Sequence, residues 1–280
     1  MNLKKIHFLF LSILIGFAAC QKNEPSVEYN YGTKSDSALY YFNKGWVSIM
    51  DEGRWMDSEK FYRKAVEFDP NFIIGKSLVG RITQNLHERI AIQKELEDKI
   101  VTLDEDSKLL LQVYLASIRS MNKSGQGLGS NPSDSKNRID LSEKNFRSFL
   151  KKHPNEDYIK AEYIEVLHRK YGAKTALDSM YLLATERQLK LPFYIHYNAT
   201  IEAELGNFER ALQLSDDLKN SLNNPMMPNQ YLILADIYYR MDSLKQARFM
   251  IEKVVSLDPK HIIGQGLRKS IYAKLAKDKK

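Results

Sequence analysis

The sequence predicts an all-α fold, an α-solenoid of about six helix pairs with one further helix capping the C-terminal end. Three observations indicate this class. From Ser35 onward, apolar residues recur at helical spacing almost without a break. No stretch alternates apolar and polar residues as a half-buried strand would. Residues 69–78 and 258–267 align without gaps and share six of ten residues, which predicts repeated units that stack on one another.

Two segments that include these repeats resemble the tetratricopeptide repeat (TPR), a helical hairpin of about 34 residues. The first copy has the usual order of bulky, small, aromatic, alanine and proline residues at Trp55, Ser58, Tyr62, Ala65 and Pro70. The second copy matches at Tyr231, Leu234, Ala235, Tyr238, Leu244, Ala247, Ile251, Val254 and Pro259. The small residues let two helices approach closely, and the proline, which has no amide hydrogen, ends the second helix.

Weaker copies of the hairpin fill the chain between these two at a similar period. They lie at residues 74–100, 109–154, 158–189 and 193–218, and a closing helix is expected over residues 263–276. Each pair leaves one apolar face uncovered, so the pairs must stack on both sides to be stable. The predicted TPR solenoid therefore spans residues 35–280.

The N-terminus has the layout of an export signal. Lys4 and Lys5 precede an apolar run over residues 6–16, and Ala18-Ala19 precede Cys20, the only cysteine. This end resembles the lipobox of bacterial lipoproteins. The resemblance implies a signal peptide over residues 1–19, lipidation of Cys20 and a lipid anchor in the bacterial cell envelope, with the outer membrane as the expected location, facing the periplasm or the exterior. An ordinary cleaved signal with a coincidental cysteine is the alternative.

Two polar segments are predicted to lie outside the packed helices. Residues 20–34 contain Pro25, Gly32 and few aliphatic residues, which is typical of a flexible tether. Residues 122–137 have almost no apolar side chain and predict a disordered insertion. This insertion is either a tolerated surface loop or a loop that orders when a partner binds.

The sequence offers no pattern typical of catalysis or cofactor binding. The net charge of +7 falls to +5 when Lys4 and Lys5 leave with the signal peptide, which is too small an excess to predict nucleic-acid binding. No two histidines lie three or four residues apart, and Gly125-Gln-Gly127-Leu-Gly129 lacks the Lys-Ser/Thr end of a phosphate loop. We therefore expect no metal, no cofactor and no enzymatic activity.

The TPR resemblance implies a concave groove lined by the first helix of each pair. Its candidate residues are Asn229, Leu232, Asp236, Tyr239 and Arg240 in the last clear copy, with Phe193, His196, Thr200, Ala203 and Glu204 in the copy before it. The first copy would contribute Tyr40, Asn43, Val47, Met50 and Asp51. Aromatic, amide and charged groups together suit protein or peptide recognition. Alternatively, Tyr239 and Phe193 pack against the next repeat.

These expectations combine into three hypotheses for function. The first is a lipid-anchored envelope scaffold that binds a protein or peptide partner in the concave groove. The second is an outer-membrane lipoprotein for glycan or nutrient uptake, and the third is a component of outer-membrane protein assembly. The sequence indicates neither the partner nor the oligomeric state.

Overall fold

The computed structural model describes residues 29–129 and 131–277, and within these ranges the chain forms helices and connections without a strand. The predicted signal peptide over residues 1–19, Cys20 and the residues up to 28 lie outside the described part of the chain. Among the described helices, none combines the length and the apolar character that crossing a bilayer requires.

The helices are packed in adjacent pairs, which confirms the all-α solenoid of six pairs and a capping helix. The pairs are α1 with α2, α3 with α4, α5 with α6, α7 with α8, α10 with α11 and α12 with α13, while α14 covers the last pair. The α-helices of the described residues are α1 (Asp36–Trp46), α2 (Trp55–Phe68), α3 (Ile73–Ile82), α4 (Leu86–Lys99), α5 (Glu105–Gly125), α6 (Pro132–Lys152), α7 (Asp157–Tyr171), α8 (Ala173–Leu183), α9 (Glu186–Leu189), α10 (Pro192–Glu204), α11 (Phe208–Leu222), α12 (Asn229–Arg240), α13 (Leu244–Leu257) and α14 (Ile262–Lys277). Helix α1 continues as a π-helical turn over Val47–Glu52.

Helices α1 and α2 approach closely because small residues lie where they meet. A Cβ atom on Gly45 would lie 2.3 Å from a ring carbon of Tyr62, so only glycine leaves room for that ring. Ser58, the small residue of the motif, is fully buried and donates a hydrogen bond to the Gly45 carbonyl at 2.9 Å. The residue sizes predicted from the TPR resemblance therefore fit the packing of this pair.

The two repeated Asp-Pro exits share a hydrogen-bonding pattern as well as a sequence. At both Asp69 and Asp258, one carboxylate oxygen accepts from the backbone N–H two residues later, at 3.0 and 2.9 Å. The other oxygen accepts from a distant segment. Asp69 accepts from the Thr33 hydroxyl at 2.6 Å, and Asp258 accepts from the Met56 backbone N–H at 2.9 Å. Each exit thus ends its helix and also ties another part of the chain to it.

The first and last helix pairs meet, and the solenoid is closed rather than open. Asn229 Nδ2 donates to the backbone carbonyls of Met50 and Asp51 at 2.9 and 3.0 Å. Lys260 Nζ pairs with Glu59 Oε2 at 3.1 Å. We call this the closure contact; it joins residues 50–59 to residues 229–261. The predicted concave groove is consequently a partly open space at the centre of a ring.

Long-range contacts also supply caps that two helices lack locally. The residues preceding α2 and α10 make no side-chain cap. Instead, Asp258 accepts from the Met56 N–H in the first turn of α2, and Asp51 Oδ1 accepts from the Phe193 N–H in the first turn of α10 at 3.0 Å. The second oxygen of Asp51 accepts from Tyr158 Oη at 2.7 Å. Because backbone N–H groups at a helix start need acceptors, these distant carboxylates stabilise both helices.

The predicted disordered insertion at 122–137 is wrong for most of its length. Helix α5 continues to Gly125 and α6 begins at Pro132, so that only residues 126–131 connect them. The side chains of this segment find polar partners: Asn122 is buried, accepts from Arg89 Nε at 2.8 Å and donates to Gln93 Oε1 at 2.7 Å. Apart from Asn122, the described residues of this segment are almost all exposed, so their polar composition reflects the solvent-facing surface of two helices and not a lack of helices.

The predicted tether over residues 20–34 is also wrong in its described part, residues 29–34. Tyr31 is buried with its ring centroid 4.7 Å from that of Phe42. Tyr29 lies edge-on to Phe149 at 5.1 Å, and its hydroxyl is 2.8 Å from Ser107 Oγ. The two tyrosines anchor this segment in the core, because each buries a large ring against other aromatic rings.

Candidate functional site

A partly open cavity of about 430 Å³ lies at the centre of the ring, and its volume is within the range of small-ligand sites. Its wall is formed by α1 with its π turn, α2, α3, α7, α10, α12 and the start of α14. Ten groove residues were predicted in the last clear copy and the copy before it. Seven of them lie on this wall: Phe193, His196, Thr200, Asn229, Leu232, Asp236 and Arg240. The structure therefore brings residues of two repeats together on the wall of one cavity.

The other candidate residues of these two copies lie beside the cavity. Tyr239 is half-buried against the last apolar cluster, with Lys274 Nζ 5.3 Å from its ring centroid. Glu204 is exposed and pairs with Arg240 at 3.5 Å, and its other oxygen is 3.2 Å from His168 Nε2. Ala203 is buried in the core. Packing against the neighbouring repeat is thus the correct interpretation for Tyr239, but Phe193 faces the cavity.

The groove residues assigned to the first copy are mostly wrong. Of the five, only Met50 lines the cavity. Tyr40 is exposed, Asn43 and Val47 line a separate hollow, and Asp51 belongs to the closure contact. The side chains that do face the cavity include Trp46 and Ile49. A register error of one residue turns a helical position by about 100°, and the motif's glycine is one place early here.

Five aromatic side chains make one part of the wall: Trp46, Trp55, Tyr62, Phe193 and Tyr197. Phe193 and Tyr197 are stacked with centroids 5.4 Å apart, and the rings of Trp46 and Tyr62 meet edge-on at 6.1 Å. The two tryptophans are the only ones in the chain. Such a wall can hold an apolar body or the positive end of a ligand.

Charged side chains on α3, α7 and α12 make the other part of the wall. Arg81 pairs with Glu162 at 2.5 Å, and Arg240 Nε pairs with Asp236 Oδ2 at 2.9 Å. These two arginines are therefore neutralised by acids of the wall itself. Glu165 is different, because among the described residues its half-buried carboxylate makes neither an ion pair nor a hydrogen bond. Burial raises the pKa of Glu165 to about 7.

The two cavity histidines are neutral at pH 7. Burial lowers the pKa of both His196 and His261 to about 4, and the proximity of His196 adds to the effect at His261. The Gly264 N–H donates to His261 Nδ1 at 3.2 Å, so the neutral ring carries its proton on Nε2. His261 lies near Trp55, with ring centroids 5.7 Å apart.

Four buried polar atoms of the wall have no hydrogen-bond partner within the described residues. They are Trp46 Nε1, Tyr62 Oη, His261 Nε2 and Glu162 Oε2, and the four residues are 3%, 2%, 1% and 6% exposed. A buried polar group left without a partner costs about 1–3 kcal/mol. Two N–H donors, one hydroxyl and one carboxylate acceptor are therefore available to a molecule in the cavity.

Sequence reasoning missed several residues of this wall. Arg81, Glu162 and Glu165 lie on α3 and α7, which belong to the weaker copies in which no groove positions were assigned. His261 lies in the repeated exit, at the position that Phe72 occupies in the first copy. This difference between two otherwise similar ten-residue segments could have indicated a binding position, because an apolar ring is replaced by a ring with two polar nitrogen atoms.

Other sites on the described residues are less developed. No group of three or more His, Cys, Asp or Glu side chains in the described ranges is arranged to hold a metal ion. A hollow of about 810 Å³ lies between α12, α13 and α14, but none of the ten groove candidates lines it. The central cavity is the site on which the sequence-based residues and the unpartnered polar atoms coincide.

The raised pKa of Glu165 predicts how the stability of the protein changes with pH. Its folded-state pKa of about 7 exceeds the ordinary value of 4.5, so the free energy of unfolding falls as the pH rises between these values. Glu165→Gln should remove this loss and stabilise the protein at pH 8 by about 1–3 kcal/mol, with little effect at pH 5. Urea unfolding at both pH values measures the difference.

The matched control for this experiment is Glu209→Gln, which alters an exposed glutamate on α11. Because Glu209 lies in the first turn of α11, we expect its neutralisation to cost no more than about 1 kcal/mol, by the same amount at both pH values. A stabilisation by Glu165→Gln of the same size at pH 5 and pH 8 would contradict a buried, unpaired carboxylate at this position.

Together these features define the class of protein: an all-α solenoid, closed into a ring, with an aromatic and charged cavity at its centre. The family model described as tetratricopeptide repeat matches residues 231–261. This range covers most of α12, all of α13 and the Asp258-Pro259 exit. The match confirms the repeat in the second copy identified from the sequence. A comparison with curated proteins finds no match.

Proposed function

We propose that this protein is a non-catalytic, lipid-anchored binding module of a bacterial cell envelope, and that its central cavity receives part of a protein or peptide partner. Repeats of the kind matched at residues 231–261 generally bind proteins or peptides. The observation that carries the proposal is that seven candidate residues from two repeats line one central cavity.

The closure contact limits how a partner binds. An extended peptide advances by about 3.3 Å per residue, and a cavity of about 430 Å³ holds only a short piece of it. The ring therefore suits a chain end or one projecting side chain with its neighbours, while the remainder of the partner lies on the outer rim. This differs from the open groove that the sequence predicts.

The lipid anchor is tested at Cys20. In the proposed topology, residues 1–19 are removed, Cys20 carries the lipid and residues 21–28 lead to the ring. Cys20→Ser should lose the incorporation of a radiolabelled fatty acid that we expect of the wild type, because the thiol that accepts the lipid is gone. Equal labelling of both proteins, or no labelling of the wild type, would exclude lipidation at Cys20. Protease treatment of intact cells distinguishes the periplasmic from the outer surface.

Partner binding is tested by filling the cavity. Thr200→Trp places a large ring on the cavity wall, and Asp217→Trp places the same ring on the exposed side of α11 as the control. After cross-linking in cells and detergent solubilisation, we expect the wild type and Asp217→Trp to recover the same stoichiometric partner and Thr200→Trp to lose it. Equal recovery by all three proteins would show that the cavity is not the binding site.

One observation favours a second candidate, the uptake of a small nutrient or glycan. The cavity has the volume of a small-ligand site, and its wall combines aromatic side chains with a few polar groups, as small-ligand sites do. Retention of a glycan or solute by the purified protein, without any protein partner in the pull-down, would favour this candidate. Recovery of a β-barrel assembly protein would instead support a role in outer-membrane protein assembly.

A further inference from the structure

We infer that the central cavity selects a cation, namely a primary ammonium or guanidinium group carried on an apolar body. The inference rests on the proposed function in one respect, that the cavity is a binding site. It goes further by assigning the chemical class of the group that is bound and the residue that recognises its charge, Glu165.

The first step is the balance of charge on the wall. Its acids are Glu162, Glu165 and Asp236, and its arginines are Arg81 and Arg240. Glu162 and Asp236 are each paired with one arginine, and the two histidines are neutral at pH 7. Only Glu165 is left without a partner among the described residues, so the wall attracts positive charge once this carboxylate is ionised.

The second step concerns the groups around Glu165. Arg169, one turn further along α7, is the positive charge that acts most on the Glu165 carboxyl and lowers its pKa in opposition to burial. Its Nε donates to the backbone carbonyl of Glu165 at 3.4 Å, and no ion pair with the carboxylate is formed. The other charged or titratable groups that face Glu165 are Glu162 on α7, Arg81 on α3 and Tyr197 on α10. Arg81 is already held by Glu162. A cation from outside would supply the direct partner that the Glu165 carboxylate lacks.

The third step is the match between donors and acceptors. Glu162 and Glu165 lie three residues apart on α7, hence on one face, and Glu162 Oε2 is itself without a partner. An ammonium or guanidinium group has several N–H donors and can serve two carboxylates at once. The aromatic part of the wall adds attraction for the same charge through the ring faces.

The remainder of the wall describes the rest of the ligand. Aliphatic side chains accept an apolar body; they are Ile49, Met50, Leu78, Ile82, Leu232, Ile263 and Leu267. The N–H groups of Trp46 and His261 are unpartnered donors and suit a carbonyl or hydroxyl oxygen. A lysine or arginine side chain of a peptide has these features, and so does a free amine with an aromatic or aliphatic body.

The experiment uses the fluorescence of Trp46 and Trp55, since both tryptophans of the chain lie on the cavity wall. Detergent-solubilised full-length protein is titrated at pH 8 with 2-phenylethylamine and with the capped peptide acetyl-Gly-Lys-Gly-amide. The controls are the uncharged 2-phenylethanol, the anionic phenylacetate and a capped peptide with norleucine in place of lysine. The amine represents a free ligand, and the lysine peptide represents a side chain of a partner.

We expect at least one of the two cations to bind saturably and about ten-fold or more tightly than its uncharged counterpart. Binding of the amine alone indicates a free ligand, and binding of the lysine peptide indicates a protein partner. Affinity for the cation should fall between pH 8 and pH 6, as Glu165 takes up a proton. Equal affinity for charged and uncharged probes, or no binding of either cation, would overturn the inference.

Glu165→Gln should lower the affinity for the cation about ten-fold and leave that for the uncharged probe unchanged, whereas Glu209→Gln should change neither. If Glu165→Gln does not fold, the affinities of the wild type for the cation and for its uncharged counterpart still test whether the cavity selects a cation. The Thr200→Trp pull-down tests the proposed function separately. Loss of the partner in that variant without cation selectivity would refute only this inference.

Discussion

Phe42→Ala is expected to lower the free energy of unfolding by about 3–5 kcal/mol. The Phe42 side chain is fully buried, and its ring lies within 4.7 to 6.2 Å, between centroids, of the rings of Tyr31, Trp46, Tyr62 and Phe72. These rings come from the N-terminal segment, both helices of the first pair and the exit that follows it. Removing the Phe42 ring leaves a cavity. The surrounding side chains lie on several different elements and cannot all move in to fill it.

Urea unfolding followed by circular dichroism measures this effect. Leu182→Ala is the control, since this large apolar residue is 83% exposed on α8 and should change the stability by no more than about 0.5 kcal/mol. A loss below about 1 kcal/mol for Phe42→Ala would mean that the N-terminal segment and the first pair do not share the core described above.

Gly53→Ala is expected to cost about 2–4 kcal/mol and to weaken the closure contact. Gly53 has φ of 76°, a conformation that disfavours a side chain, and a Cβ atom there would lie 2.5 Å from Asn229 Oδ1. The overlap falls on the residue whose amide donates to Met50 and Asp51. Strain and displacement of Asn229 therefore act together.

The control for Gly53 is another glycine with a similar backbone angle. Gly206 has φ of 83°, but a Cβ atom there would have no neighbour within 4 Å. Gly206→Ala should cost only the conformational strain, about 1–2 kcal/mol. Urea unfolding of both variants separates strain from overlap, and equal losses would show that Gly53 does not pack against the last repeat.

The helix pairs could be predicted from the sequence because their determinants are local. Apolar spacing indicated the helices, and small residues such as Ser58 and Ala247 indicated close approach within a pair. The repeated Asp-Pro exits end helices through hydrogen bonds to the backbone two residues later, which is a short-range pattern. In the last two pairs, groove positions could be read because the motif register is clear there.

The long-range contacts that hold the ring together could not be predicted from the sequence. They join residues far apart in the chain, and several of them use backbone groups, which no residue pattern marks. Asp258 and Met56 are 202 positions apart, and Asp51 and Phe193 are 142 apart, and in each case a backbone N–H is the donor. The π turn that follows α1 gave no recognisable pattern either. It lies before Gly53, where the groove register of the first copy was wrong.

Composition misled at two segments for a related reason. Asn122 and Arg89 belong to stretches that look polar and unstructured or weakly repeated, yet they bond to each other at 2.8 Å in the interior. Tyr31 lies in a polar segment, but its ring is buried. Whether such a polar or aromatic side chain is buried depends on the residue that it contacts. In both cases that residue lies on a different helix or segment, so the local sequence does not identify it.

The most direct test of the closed ring uses a pair that the protein already contains. Lys260 Nζ and Glu59 Oε2 are 3.1 Å apart although 201 residues separate them, so a carbodiimide, which joins an amine to a carboxylate without a spacer, should link them in the monomer. Lys123 and Asp134, 2.7 Å apart between α5 and α6, are the internal control. Mass spectrometry of the digested monomer should find both linked peptides. Recovery of the Lys123–Asp134 link without the Lys260–Glu59 link would show an open solenoid and contradict the closed ring.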